Sequence, residues 1–213
     1  GPVAQLTYRE IRELATIGAS VFHEDAIAPV RTVGIPINVK NTNKPTDKGT
    51  IITAARDFHK DHLVGVSGKK PYRRLVVEKF MLDRYPETTK IVNEIIASKK
   101  IVCDVVVDAF DTLVMYLASE VGDDEAQALV QEIIKKAEVD ICEISQPLVL
   151  VGVVGEGMDQ EPDLVEKISA QISALGVPIT IVSASLPIKR LFSVPLEAYG
   201  TTINSIVDLI VTE

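Results

Sequence analysis

The sequence has no tryptophan, two cysteines, three histidines and only 5% aromatic residues, and each scarcity removes a class of chemistry. Cys103 and Cys142 sit in apolar surroundings ("IVCDVVV", "VDICEI"), as buried free thiols do. With no histidine near either, no metal site is expected. A chain so poor in cysteine is expected in a reducing cytoplasm. Basic residues are the minority, 22 against 30 acidic for a net charge of -8. Phosphate binding runs on clustered Lys and Arg, so no nucleic-acid partner is expected. The basic clusters, Lys69-Lys70 with Arg73-Arg74 and Lys135-Lys136, are expected to be solvated faces. No apolar run approaches the roughly 18 residues of a membrane span; "PLVLVGVVG" has only strand length, so no membrane partner is expected. The start lacks the ordered basic and apolar regions of a signal peptide. Gly1-Pro2 without Met resembles a protease scar, and the chain is expected to be an excised piece or a natural truncation.

What is present is an ordinary globular composition, 213 residues with 46% hydrophobic and 24% charged, enough for one large domain or two to three small ones. "TYREIRELATI" predicts a helix with Thr7 as N-cap and Glu10 three residues on. A second helix is expected from Ala26 to Val33, then a short strand in "IPINVK". "NTNKPTDKG" is turn chemistry, and 53–61 reads as a linker. A pattern then begins: strand "YRRLVVEKF", helix Pro86 to Ser98, strands "IVCDVVV" and "TLVMYLA", helix Asp123 to Ala137 and strand "VDICEI". The order returns with "LVLVGVVG", helix Asp163 to Leu175, strands "PITIVSA" and "IKRLFSV", and a helix from Leu196 to about Leu209. An offset of about 76 residues lays "SKKIVCDVVV" over "ALGVPITIVS", so two copies of one β-α-β-β-α-β sandwich are expected, an α/β (α+β), ferredoxin-like fold. The second copy lacks a final strand, while "HLVGVSG" is spare. If that strand completes the second sheet, the first unit is inserted inside the second.

No complete active site is legible. In "SGKKP" Gly65 and Gly68 are too close for a phosphate loop, and Lys70 stands where Ser or Thr should hold magnesium. In "GEGMDQ" Gln160 replaces the third glycine of a dinucleotide turn. Its better reading is a tight strand-to-helix turn with backbone amides facing outward. His23, beside Glu24 and Asp25, is assigned a structural role, since adjacent helical residues do not face one another. His59 and His62 are expected in solvent, and no Ser or Cys pairs with a base and an orienting acid.

"TYREIRELATIGASVFHEDAIAPVRTVGIPINVKNTNKPTDKGTII" resembles the end of the amino-acid-kinase domain of aspartokinases. Gly18 to Glu24 follows the family's Gly-Ala-x-Val-Leu-His-Pro, Ile35 to Ile37 its Ile-Pro-Ile, and Asn41-Thr42 with Pro45 to Thr50 its Asn-Thr and Pro-x-x-x-Gly-Thr. "VSGKK…VVEKFML" resembles the entry to the first of the family's tandem ACT domains, "FDT" its Ile-Asp-Thr turn, and "VVGEGM" the opening of the second. The resemblance implies a kinase-domain remnant and linker at 1–60, a first, inserted ACT domain at 71–146, and a second from 61–70 and 147–213. The family's reaction transfers a phosphoryl group from ATP to the β-carboxylate of aspartate, clamping phosphates and magnesium. The Lys-Phe-Gly-Gly-Thr-Ser motif and phosphate-binding residues are not in this sequence, so no catalytic residue and no cofactor are expected in this stretch, ATP and Mg belonging to the full-length enzyme.

The chain also departs from the pattern. Ser20 stands at the nucleotide-proximal lysine of Gly-Ala-Lys, and Glu24 at the family's Pro. "YPETTK" places Glu87 and Thr88 at a usual Gly-Phe pair, where glycine lets an effector carboxylate reach amides at the helix N-terminus and a glutamate opposes it. "SASLPIK" replaces Gln-Gly-x-Ser-Glu. The resemblance implies an amino-acid effector, lysine or threonine, shifting the kinase between states, and homodimerisation through ACT sheets. Its contacts are expected at Leu82, Glu87, Thr88, Cys103, Asp104 and Asp108, with Asp104 on the ammonium group. Two alternatives stay open: a dimerising module without effector binding, and a free-standing amino-acid sensor.

Overall fold

Helix formation begins where the capping chemistry predicts. In the computed structural model, which describes residues 3–19, 24–44, 46–59, 61–118 and 120–211, strand β1 (Gln5–Thr7) leads into α1 (Tyr8–Thr16). The Glu10 N–H donates to Thr7 Oγ1 at 3.1 Å, and the Thr7 N–H donates to Glu10 Oε2 at 2.9 Å, a reciprocal capping box. Then come α2 (Glu24–Val33), β2 (Ile37–Val39) and β3 (Thr50–Thr53). A long strand, β4 (Gly65–Glu78), precedes α3 (Pro86–Ser98), β5 (Val102–Asp108), β6 (Thr112–Ala118), α4 (Asp123–Ala137) and β7 (Ile141–Ile144). The chain closes with β8 (Leu148–Val154), α5 (Leu164–Ala174), β9 (Thr180–Ser183), β10 (Lys189–Pro195) and α6 (Tyr199–Val211). Where two strands are expected, 62–68 and 72–80, the backbone runs on as one. Among the described residues no helix is long and apolar enough to cross a membrane.

The chain divides into two compact units, Lys70–Val149 and the remainder. In Lys70–Val149 the strands lie in the order β7-β4-β6-β5. Pairing of β4 with β6 starts at Tyr72, directly after Pro71, which has no N–H to give. Leu75, Val77, Leu113, Met115 and Leu117 point at Val92, Ile95 and Ile96 of α3 and Leu129, Val130 and Ile133 of α4 to form the core. Pro86 starts α3 with its φ already set for a helix, and Asp123, Asp124 and Glu125 suit the positive end of α4, Lys135 and Lys136 its negative end. Arg73 is not solvated: it is 4% exposed and donates to the carbonyls of Val121 and Ser145 and, at 2.7 Å, to Asp123 Oδ1. It shares the core-facing parity of Leu75 and Val77, and its guanidinium closes the end of that core.

In the other unit the order is β4-β8-β10-β9, the same fourth-first-third-second arrangement, with the start of β4 as the strand the second copy lacked. A separate three-stranded sheet, β1-β3-β2, pairs β1 parallel and β2 antiparallel to β3. Every β8 residue after Leu148 is buried, the pattern of a strand covered on both faces. A Cβ at Gly152 would meet Ile17 Cδ1 at 2.5 Å, and one at Gly65 would meet Leu14 Cδ2 at 3.2 Å. So α1 lies on the sheet face carrying Leu150, Gly152 and Val154, and glycines let it approach.

Candidate effector site

Three of the expected effector contacts, Leu82, Glu87 and Thr88, lie in or just after the turn between β4 and α3. Phe80 N–H donates to Asp140 Oδ2 at 2.7 Å, Met81 N–H to Asp111 Oδ1 at 2.9 Å and Asp83 N–H to the Phe110 carbonyl at 2.9 Å. Met81 has φ 59°, the left-handed region, which costs a non-glycine residue roughly 1–2 kcal/mol. The Asp111 carboxylate holds it there. Both capping carboxylates are exposed, as are Phe80 at 72% and Phe110 at 81%. Two of the turn's three backbone donors are thus satisfied by carboxylates that water also reaches.

The six predicted residues do not form one cluster. Leu82 is 3% exposed and belongs to the core, and Thr88 is 5% exposed, its N–H donating to the Tyr85 carbonyl. Glu87 stands in solvent 3.9 Å from Lys90, a surface pair of little energetic weight. On β5 the pairing shifts between Cys103, opposite Leu117, and Val105, opposite Tyr116, so Asp104 is the extra residue of a bulge. The expected alternation, which puts Asp104 and Asp108 on one face, therefore breaks. Asp108 pairs with Leu113, a residue of the same core cluster as Leu82. Asp104 turns to the opposite face, where its carboxylate accepts the Tyr72 hydroxyl. Burial and that carboxylate push the Tyr72 phenol far above its ordinary value. Cys103 faces the core at the Asp104 end, and its thiol, raised chiefly by burial, bonds the Val105 carbonyl. Ser20 and His23 lie outside the described residues.

The second copy of the turn, after β8, is not outward-facing. Its Glu156 N–H donates to Glu10 Oε1 at 2.8 Å, and Gly157 N–H to the His62 carbonyl at 3.0 Å. A Cβ at Gly155 would stand 2.1 Å from the His62 carbonyl oxygen, so this glycine exists for backbone contact. His62 is not in open solvent: its Nδ1 lies 2.5 Å from Glu161 Oε1. Glu10 and Arg56 form an ion pair at 2.6 Å with side chains 0% and 2% exposed. Thr7 Oγ1 donates to Glu156 Oε1 at 3.1 Å, and Arg9 pairs with Glu156 Oε2 at 3.1 Å. Lys189 on β10 meets Glu13 on α1 at 2.5 Å. The capping box was the one sequence signal for this network; nothing local pointed to Arg56 or Glu156.

A separate cleft of about 350 Å³ is lined by Tyr8, Arg12, Ile27, Ala28, Arg31 and Thr32, and holds none of the predicted effector residues. Among the described residues no group of three His, Cys, Asp or Glu side chains is placed to hold a metal.

No family model matches the chain. Aspartokinase 3 of Bacillus subtilis is 28% identical over 197 residues, 90% of this chain and 43% of that protein. The crystal structure of Clostridium acetobutylicum aspartate kinase superposes with a TM-score of 0.84 at 31% identity, over 97% of this chain and 48% of that one. The regulatory subunit of aspartate kinase from Thermus flavus shares the fold, with a TM-score of 0.54 at 13% identity over 69% of this chain and 97% of its own. The chain spans less than half the length of the first two.

Proposed function

For a chain homologous to aspartokinases over about 90% of its length, we propose a role as the C-terminal regulatory portion of an aspartate kinase, binding an end-product amino acid that sets the activity of the whole enzyme. The single observation that supports it best is the repeated strand order: two βαββαβ units with the first inserted in the second, joined to a segment that resembles the end of a kinase domain. In the whole enzyme ATP and magnesium would be held by the preceding kinase residues, and the reaction would carry the phosphoryl group to the aspartate β-carboxylate. This stretch alone is expected to be inactive. The effector, lysine or threonine, enters at the turn of Lys70–Val149. Its carboxylate replaces the exposed Asp111 or Asp140 on the Phe80 and Met81 amides. With Asp104 on the other face, the ammonium group is assigned to Asp108 in this reading. Dimerisation proceeds through β5, an edge strand with Val102 58%, Val106 53% and Val107 39% exposed, since an apolar free edge invites another.

The same amides favour a second reading. In it, because Phe80 and Met81 already have acceptors and Glu87 adds a further negative charge, the units serve as a dimerising scaffold with no effector. A thermal melt with lysine, threonine or methionine decides. At a hundredfold over its Kd a ligand adds about 2.7 kcal/mol, so one amino acid is expected to raise Tm by several degrees. A cooperative melt unmoved by all three would leave the scaffold.

A further inference from the structure

The two turns carry carboxylates at corresponding positions. Phe80 and Glu156 stand about 76 residues apart, the repeat offset, and each N–H donates to a carboxylate, Asp140 for Phe80 and Glu10 for Glu156. Two unrelated sequences, "EKFML" and "VGEGM", thus present one equivalent amide to a carboxylate, while the next amide goes to Asp111 in the first turn and to the His62 carbonyl in the second. The occupants differ in how firmly they are held. Asp140 and Asp111 are exposed, and exchanging either for a ligand carboxylate trades one solvated anion for another. Glu10 is fully buried and accepts from four groups: Thr7 N–H at 2.9 Å, Glu156 N–H at 2.8 Å, Arg56 Nη2 at 2.6 Å and Arg56 Nε at 2.8 Å to its nearer oxygen. Expelling it would strand a buried guanidinium.

We propose that the turn after β8 is a carboxylate receptor whose resident ligand is the side chain of Glu10, so that the second βαββαβ unit is closed to free amino acids and any effector is confined to the first. The receptor consists of the Arg56 guanidinium and the Thr7 and Glu156 amides, and a small carboxylate is the ligand class it takes once Glu10 is removed. Because Glu10 rides on α1, the contact also ties the kinase-derived helix to the regulatory sheet. Only the confinement of the effector rests on the regulatory reading above; the receptor itself does not.

The test is chemical rescue in the 213-residue chain. Glu10→Ala is titrated with sodium acetate and, as control, with sodium chloride at equal concentration, following Tm and hydrogen exchange at the Glu156 amide. Glu10→Ala is expected to melt lower than wild type, to recover a saturable few degrees with acetate but not chloride, and to slow Glu156 exchange as it does so. Wild type and Glu10→Ala/Arg56→Ala are expected to treat the two salts alike. A cooperatively melting Glu10→Ala protein indifferent to acetate overturns the receptor. Should Glu10→Ala fail to fold, Glu10→Gln, which keeps shape and loses charge, is expected to speed Glu156 exchange about tenfold or more, the worth of one charged hydrogen bond; unchanged exchange overturns the proposal. Calorimetric titration of wild type with lysine and with threonine is expected to give at most one site per chain, and two would overturn the confinement. If neither binds, the regulatory reading fails while the acetate result still decides the receptor.

Discussion

Arg56→Ala tests whether the joint around Glu10 stabilises its unit. The substitution removes donors at 2.6 Å and 2.8 Å from a carboxylate with no solvent exposure. Breaking a buried pair by deleting one partner costs about 3–5 kcal/mol, because the remaining charge has neither water nor counter-ion. The Thr7 and Glu156 amides still donate to Glu10, which places the cost at the low end, about 3 kcal/mol. That is roughly a hundredfold in the unfolding equilibrium and a Tm fall of about 6–12 °C at 2–4 °C per kcal/mol. Arg56→Lys keeps the charge but not the planar fork, so it should fall between wild type and Ala. Scanning calorimetry is the assay, and any separate transition of Lys70–Val149 should stay where it is. A loss under about 1 kcal/mol for Arg56→Ala, the size of a surface pair, or equal losses for Lys and Ala, would refute the argument that burial gives this contact its weight.

Two further outcomes follow from contacts elsewhere. Gly155→Ala should destabilise more than Gly152→Ala in urea titrations: its Cβ meets a backbone oxygen at 2.1 Å, whereas that of Gly152 meets the movable end of Ile17 at 2.5 Å. Overpacking of the second kind costs about 1–3 kcal/mol, and equal losses would contradict the ranking. Burial, aided by the Glu143 charge, pushes the Cys142 thiol up to about 11. A raised folded value means its contribution is fully present below the unfolded value near 9 and is lost as pH climbs through about 11. Cys142→Ala should therefore flatten the alkaline fall of stability between those limits, and an unchanged slope would assign it to other groups.

Elements specified by neighbours in sequence were legible, and those specified across the fold were not. Pro86 and the Asp123–Glu125 run start their helices at the predicted residues because proline at N1 and acids in the first turn act within one turn. The lending of β4 to the second sheet followed from counting strands. The bulge at Asp104 did not, because in "VCDVVVD" valines on either side fit both faces and no local signal marks the extra residue. Arg73 was misplaced for a related reason. Its parity with Leu75 and Val77 was in the sequence, but Val76 on the other parity is apolar too, so neither face was marked as the core. Glu10 meets Arg56 across 46 residues and Glu156 across 146, and a capping-box glutamate reads the same whether exposed or buried. What decides its burial is the glycine-lined approach of α1 to β4 and β8. Glycine in a strand weakens it for want of a side chain, a cost offset here by the packing of Leu14 and Ile17 where a Cβ would stand. Of the glycines that look like weak phosphate or dinucleotide signals, Gly65 thus serves helix docking, while Gly155 and Gly157 admit the backbone at His62, and packing rather than a ligand accounts for all three.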